Sequence, residues 1–141
     1  MRVMVLVKAT AESERGVFPT AWTMEMLAAM GRFNEELRQA GVLLAAEGLT
    51  PSSRGKRVAF NGAERHVIDG PFAANGELVA GYWLWQVQDM DEALRWAQRC
   101  PNPMPVPSEI EIRPLFEAAE LPQPAGKNAS SATSKPALSR L

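Results

Sequence analysis

Two carboxylates stand where the surrounding chain is otherwise apolar or turning. Glu47 lies inside VLLAAEGL (residues 42–49), and Asp69 opens Asp69-Gly70-Pro71-Phe72. A carboxylate within an apolar strand sits either on a wet face or partly buried, and burial raises its pKa toward the range useful for general acid–base work. An ion pair of Glu47 with Arg113 or Arg57 is the competing structural reading. Asp69 as a general base competes with turn chemistry, because Asp before Gly bonds its own turn's backbone. On that reading Asp69-Gly70-Pro71 fixes a tight turn and Phe72 anchors it in the core. Tyr82, Trp83, Arg113 and His66 are the candidates to line a ligand pocket, with Tyr82, Trp83 and Trp85 able to stack on an aromatic ligand. Aromatic residues on a core strand are more often simply core. His66 alternates with Arg65 and Val67 where one side faces water, and a lone exposed histidine is more often incidental than catalytic.

Other chemistries find no support. No group of Cys, His and carboxylate residues has metal-ligand spacing, so no metal is expected. Cys100, the single cysteine, follows a helix C-terminus whose dipole disfavours a thiolate. The chain lacks G-x-x-x-x-G-K-[ST], G-x-G-x-x-G and G-x-S-x-G, which removes the usual nucleotide and hydrolase signatures, and no cofactor is expected. From Pro122 onward there are three bases and no acids, leaving 12 bases and 16 acids in the first 121 residues, a net −4. A mildly acidic domain does not suit nucleic acid. No apolar run approaches the roughly 20 residues that span a bilayer, so no membrane association is expected. Met1 to Lys8 reads as a strand rather than a signal peptide, and a lone cysteine gives no reason for an oxidising compartment; the cytoplasm is the expected setting.

The elements that would position these residues follow from periodicity. Arg2 to Lys8 is apolar on both alternating faces, as a central strand would be. Ala9 to Thr20 reads as a loop. A helix capped between Thr20 and Thr23 carries Met26, Met30, Phe33 and Leu37 on one stripe, with Leu27 beside them, and ends at Gly41. Val42 to Leu49 is the second strand. Arg57 to Phe60 and Glu64 to Ile68 flank Asn61-Gly62, the strongest short hairpin signal. Gly81 to Gln88 is a further core strand. Asp89 caps a second helix with Glu92 three residues on, an inner stripe of Met90, Ala93, Leu94 and Ala97, and a stop at Pro101. Four prolines at alternate positions, 101 to 107, stiffen the link to a last strand, Glu109 to Arg113. The result is an α+β chain: a ferredoxin-like βαββαβ sandwich with an inserted β-hairpin over residues 1–119. Residues 120–141, rich in Ala, Ser, Pro and Lys, are expected to form a disordered tail.

Such a sandwich covers one sheet face with helices and leaves the other bare. The alternation predicts Tyr82 and Leu84 on the covered face and Trp83, Trp85 and Val87 on the bare one. Two indoles in the open make a patch larger than a monomer tolerates, so a homodimer paired face to face is expected.

At Asp69-Gly70-Pro71-Phe72 the chain meets a known pattern. Ile68 to Pro103, with the opening VMVLVKAT, the segment FNEELRQAGVLLAAEGL and the closing SEIEIRP, resembles the DGPF subgroup of the YCII-related proteins over about residues 1–117. The resemblance implies a ferredoxin-like dimer of the dimeric α/β-barrel type. The subgroup commonly follows DGPF with an acidic residue and then Lys-Glu, whereas this chain has Ala74-Asn75-Gly76-Glu77. Some relatives resemble enzymes acting on hydroxylated or chlorinated aromatic compounds through a His–Asp pair. That pair does not carry over: Met30 or its neighbours hold the histidine's place, and the one histidine is His66. Three expectations follow. The first is a cofactor-independent lyase or isomerase for a small aromatic or keto-acid substrate, with Glu47 and Asp69 as acid–base groups. The second is a non-catalytic small-ligand-binding or regulatory dimeric module, and the third a purely structural dimer.

Overall fold

The computed structural model describes residues 1–73 and 76–122. The strands are β1 (Arg2–Lys8), β2 (Leu43–Gly48), β3 (Lys56–Asn61), β4 (Glu64–Asp69), β5 (Val79–Gln86) and β6 (Ile110–Pro114). The helices are α1 (Ala11–Arg15), α2 (Thr20–Gln39) and α3 (Met90–Ala97). Four strands form one sheet in the order β2-β5-β1-β6, with every neighbouring pair antiparallel. This α+β arrangement is compatible with a ferredoxin-like fold. β3 and β4 form a separate two-stranded ribbon. The disordered-tail expectation falls, from residue 123 on, outside the described residues.

The core lies between the sheet and the two longer helices. Val3, Val5 and Val7 point inward from β1, and Trp83 and Trp85 point inward from β5. The register pairs Val3 with Trp85 and Val5 with Trp83, so these side chains share one face. α2 presses Phe33 and Leu37 onto it, and α3 contributes Ala93. Phe33 meets both indoles and Trp96 edge-on at ring separations of 6.1–6.3 Å, a geometry favoured by the ring quadrupoles.

The bare-face expectation is therefore reversed. Trp83, Trp85 and Val87 lie beneath the helices, and Tyr82 and Leu84 lie on the open face. The reason is chemical as well as steric. Trp83 Nε1 donates to Asn34 Oδ1 at 2.8 Å, a partner that only α2 supplies. A strand apolar on both sides carries no alternation to reveal which side the helices take. Trp85 Nε1 is buried and has no hydrogen-bond partner among the described residues.

Local differences have equally local causes. The expected loop at 9–20 contains α1, whose cap is reciprocal: Thr10 Oγ1 accepts from Ser13 N and Ser13 Oγ from Thr10 N. α2 starts as expected, but its cap position is Pro19 and no side chain caps it. Leu27, placed beside the inner stripe, is exposed, and so is Leu94 on α3. Asp89 caps α3 as expected, accepting from Glu92 N at 2.9 Å. The hairpin turn sits one residue later than read. Asn61 pairs with Glu64, leaving Gly62-Ala63 as the loop, with Gly62 alone at positive φ (62°). Glycine at the first loop position is what a type II′ hairpin requires.

Candidate functional site

The open face of the sheet is built by the strand register. One row across it runs Glu47, Tyr82, Leu6, Glu111, from β2 through β5 and β1 to β6. The next row runs Ala45, Leu84, Met4, Arg113. α2 and α3 both pack against the opposite face, so Met4, Leu6, Tyr82 and Leu84 remain only half-buried. Charge frames this apolar strip along β6. Lys8 Nζ approaches Glu111 Oε1 at 3.0 Å, and Arg113 Nη1 donates to Glu111 Oε2 at 3.2 Å. The hydrogen bond from Lys8, joined by that from Arg113, holds the Glu111 carboxyl below the usual carboxylate range. Beyond the strip, Arg2 grips Glu117 through Nε and Nη2, both at 3.3 Å.

Three of the six expected site residues lie on this face. Glu47 stands directly across from Tyr82, and cross-strand neighbours bring their Cβ atoms to about 4.5–5.5 Å. Arg113 occupies the far edge of the same face. Glu47 is exposed and, among the described residues, makes no hydrogen bond or ion pair. Its expected partners, Arg113 and Arg57, lie respectively on the opposite edge of the sheet and on the ribbon. The partial burial considered from sequence is absent within one chain. What the arrangement offers is a free carboxylate beside a phenol, over an apolar floor. That is enough to accept a proton from a bound molecule and donate a hydrogen bond to it.

The other three expected residues lie elsewhere. Trp83 is core, 4% exposed and held by Asn34, so it lines no open pocket. His66 is exposed on the ribbon, 3.7 Å from Glu64 through Nε2. Asp69 closes the ribbon opposite Lys56, whose Nζ lies 2.5 Å from its Oδ1, and its side chain is 74% exposed. Glu47, on β2, and Asp69, on β4, belong to different sheets.

The segment around Asp69 performs a structural task that sequence reading identified only in part. The Gly70-Pro71 peptide is cis, and Phe72 is half-buried beneath the Arg57 guanidinium, 3.9 Å from the ring centre. Phe72 is not a member of the core cluster. Phe72 N donates to Ser52 Oγ at 2.9 Å, and Ser52 donates through both N and Oγ to the Glu14 carboxylate. Gly70 N donates to Gly55 O at 3.0 Å. A Cβ on Gly70 would lie 1.7 Å from Ser52 O, so glycine is obligatory there. This knot of α1, the Ser52 turn and the ribbon base fixes where the ribbon leaves the body. Ser52 was legible only as a turn residue, and nothing in the sequence pointed to Glu14.

An open cleft of about 290 Å³ lies between the end of α3 and the start of β6, with Cys100, Asn102 and Ser108 in its lining. Two of its polar groups are committed to each other, because Asn102 Oδ1 accepts from Ser108 Oγ as well as from Met104 N, and Glu109 also lines it. Burial pushes the Cys100 thiol up to about 12, so it is no nucleophile. Among the described residues no group of His, Cys, Asp and Glu gathers as for a metal ion. Among the same residues no helix is long and apolar enough to cross a membrane.

Comparison with known proteins agrees with this architecture. An uncharacterised protein of Rhizobium meliloti (strain 1021) is 29% identical over 109 residues, which cover 73% of this chain and 88% of the relative. The description of the YCII-related domain matches residues 1–119, nearly all of the described structure. The chain belongs to the YCII-related domain family.

Proposed function

We propose that this YCII-related domain binds a small organic molecule over its open sheet face, as a homodimer that closes two such faces together. Glu47 serves as proton acceptor and Tyr82 as hydrogen-bond donor in a lyase or isomerase reaction that needs no cofactor. The observation that carries this reading is the direct pairing of Glu47 with Tyr82 on the face that α2 and α3 leave bare. Met4, Leu6 and Leu84 supply an apolar bed beside them. A bed of this kind suits the hydrocarbon part of an aromatic or keto-acid compound, and the same side chains give two copies a reason to pair. Closure excludes water from Glu47 and from the bound molecule. Asp69-Gly70-Pro71-Phe72 supports placing the chain in the DGPF subgroup. On the geometry described, that motif builds the ribbon base rather than the site.

A second reading, non-catalytic binding or regulation by the same face, gains from the placement of Glu47 and Asp69 on different sheets. It leaves the face without the paired carboxylates expected of an acid–base enzyme. One experiment addresses both. Aromatic and keto-acid compounds are screened by thermal shift against the wild type, Glu47→Gln and Tyr82→Phe, since binding to the native state raises the midpoint by mass action. Stabilised complexes are then incubated in deuterated water and followed by NMR. The enzyme reading expects deuterium to enter the ligand with the wild type but not with Glu47→Gln. Binding without exchange favours the second reading. Ligands that stabilise all three proteins equally place the site elsewhere.

A further inference from the structure

The ribbon stands apart from the body. Every residue of β3 and β4 is exposed, although Val58, Phe60 and Val67 gather on one of its faces. A two-stranded ribbon is marginal in water, and three or more strands with an apolar face are needed for independent stability. The free edges of the molecule are not equally open to a further strand. β6 ends on Pro114 and β2 is irregular between Leu43 and Ala45, and both features blunt an edge. β4 has neither, and the Asp69 side chain at its base is 74% exposed.

The hairpin fixes which backbone groups are on offer. A two-residue loop makes its closing pair, Asn61–Glu64, a hydrogen-bonded one, and bonded pairs then alternate along the ribbon. Gly70 N donates to Gly55 O at 3.0 Å, in the same phase beyond the base. Arg65, Val67 and Asp69 therefore turn their N–H and C=O outward. A second β4, antiparallel and centred on Val67 against Val67, sets Arg65 opposite the partner's Asp69 and Asp69 opposite the partner's Arg65. Every outward N–H and C=O of these residues then finds a partner.

The side chains agree with this register. Val58 faces Val67 within the ribbon, so an unbroken row of valines crosses both copies. On each side of it runs a row of Phe60 and Arg65 followed by the partner's Asp69 and the partner's Lys56. Arg65 has no carboxylate partner among the described residues; its guanidinium covers Phe60 and donates to Gly62 O and Glu64 O. Lys56 holds Asp69 through Oδ1. A register centred on His66 would set Arg65 against Val67 and lose the charge pair. β3 against β3 brings Lys56 and Arg57 together with no acid on either strand. β3 against β4 never closes, whereas β4 on β4 closes at once. We propose that β4 pairs with β4 of a second copy about Val67, joining two ribbons into a single sheet. This contact uses none of the open face and goes beyond the reading above. With face-to-face closure it joins two dimers into a tetramer.

Proline separates the two edges of the ribbon. Val67→Pro removes an outward N–H that the ribbon itself does not use, and Val58→Pro does the same on the β3 edge. Two hydrogen bonds cross the axis at Val67, so Val67→Pro is expected to raise the dissociation constant, measured by sedimentation, about tenfold or more. Val58→Pro is expected to leave it unchanged. Cysteine reads the register without disturbing the backbone. Directly opposite Cα atoms lie about 5.5 Å apart, within disulfide reach, so Val67→Cys is expected to cross-link two copies on mild oxidation. Val58→Cys, about 14 Å from its mate across three strand spacings, is not. The buried Cys100 thiol, pushed up to about 12, stays silent in both. Tryptophan fluorescence checks each fold first, since Trp83 and Trp85 belong to a core without ribbon residues. A fall from tetramer to dimer with Val67→Pro bears out the contact and keeps the closed faces. A fall from dimer to monomer bears it out and removes them. A dimer indifferent to Val67→Pro and not cross-linked through Val67→Cys overturns the ribbon contact and keeps the closed faces. Equal effects at positions 58 and 67, fibres, or a monomeric wild type overturn it as well.

Discussion

Gly70→Ala isolates the knot that anchors the ribbon. The added Cβ would fall 1.7 Å from Ser52 O, 2.7 Å from Ser52 C and 3.2 Å from Gly55 O. These are backbone atoms, so no side-chain rotation relieves the clash, and either the Ser52 turn or the ribbon base must move. Movement of the turn loosens two hydrogen bonds from Ser52 to the Glu14 carboxylate, and movement of the base loosens those from Phe72 N and Gly70 N. A hydrogen bond to a charged group is worth about 1.5–3 kcal/mol and a neutral one about 0.5–1.5 kcal/mol. Loss of one of each kind, with some relaxation, gives an expected destabilisation of about 3 kcal/mol. Against a total stability of about 5–15 kcal/mol this is a large fraction. For a domain of this size it lowers the thermal midpoint by roughly 10 °C. Urea unfolding followed by tryptophan fluorescence measures it, since Trp83 and Trp85 report on the core rather than on the ribbon. Glu14→Gln keeps the shape of the knot but removes its charge, and is expected to cost about half as much. A Gly70→Ala protein within about 0.5 kcal/mol of the wild type would refute the reasoning, because it would show that the turn shifts without loss.

Other substitutions give separate checks. Asn34→Leu strands the buried Trp83 N–H and is expected to cost about 1–3 kcal/mol in a urea titration. Trp85→Phe removes a donor that has no partner among the described residues, so it is expected to cost less than Trp83→Phe in the same assay. Asp89→Ala, which removes the α3 cap, is expected to cost about 1 kcal/mol, and Asp89→Asn much less, measured by thermal unfolding. Burial raises the Cys100 thiol from 9.0 to about 12, so between those values the folded chain binds more protons there than the unfolded chain. Stability then falls as pH rises through this window, by at most about 1.4 kcal/mol per pH unit from this group. Cys100→Ala is expected to flatten that decline in pH-dependent urea unfolding, and an unchanged slope would contradict it.

The elements were legible because local chemistry dictates them. Leu43–Gly48 and Ile110–Pro114 are bounded by turn signals and prolines, and the α3 cap is visible in Asp89 and Glu92. The faces were less legible. β1 and β5 carry apolar side chains on both sides, so the choice between Trp83/Trp85 and Tyr82/Leu84 rests on tertiary contacts that a period of two does not encode. A clue was present in α2, where Asn34 lies between the buried Phe33 and Leu37. A polar side chain there asks for a buried donor, and an indole is the donor this chain offers. The α1 turn escaped notice for a different reason: with no buried residue, it has no apolar stripe to read.

The same reversal reorganises the candidate site. With the indoles outward, a dimer would have been held by large aromatic area and Glu47 would have faced the helices. With the indoles inward, Glu47 shares the open face with Tyr82 and Arg113, and the strip between them is aliphatic and phenolic. The Glu47–Arg113 pair considered from sequence as a contact within the chain is barred by three strand spacings, about 14 Å.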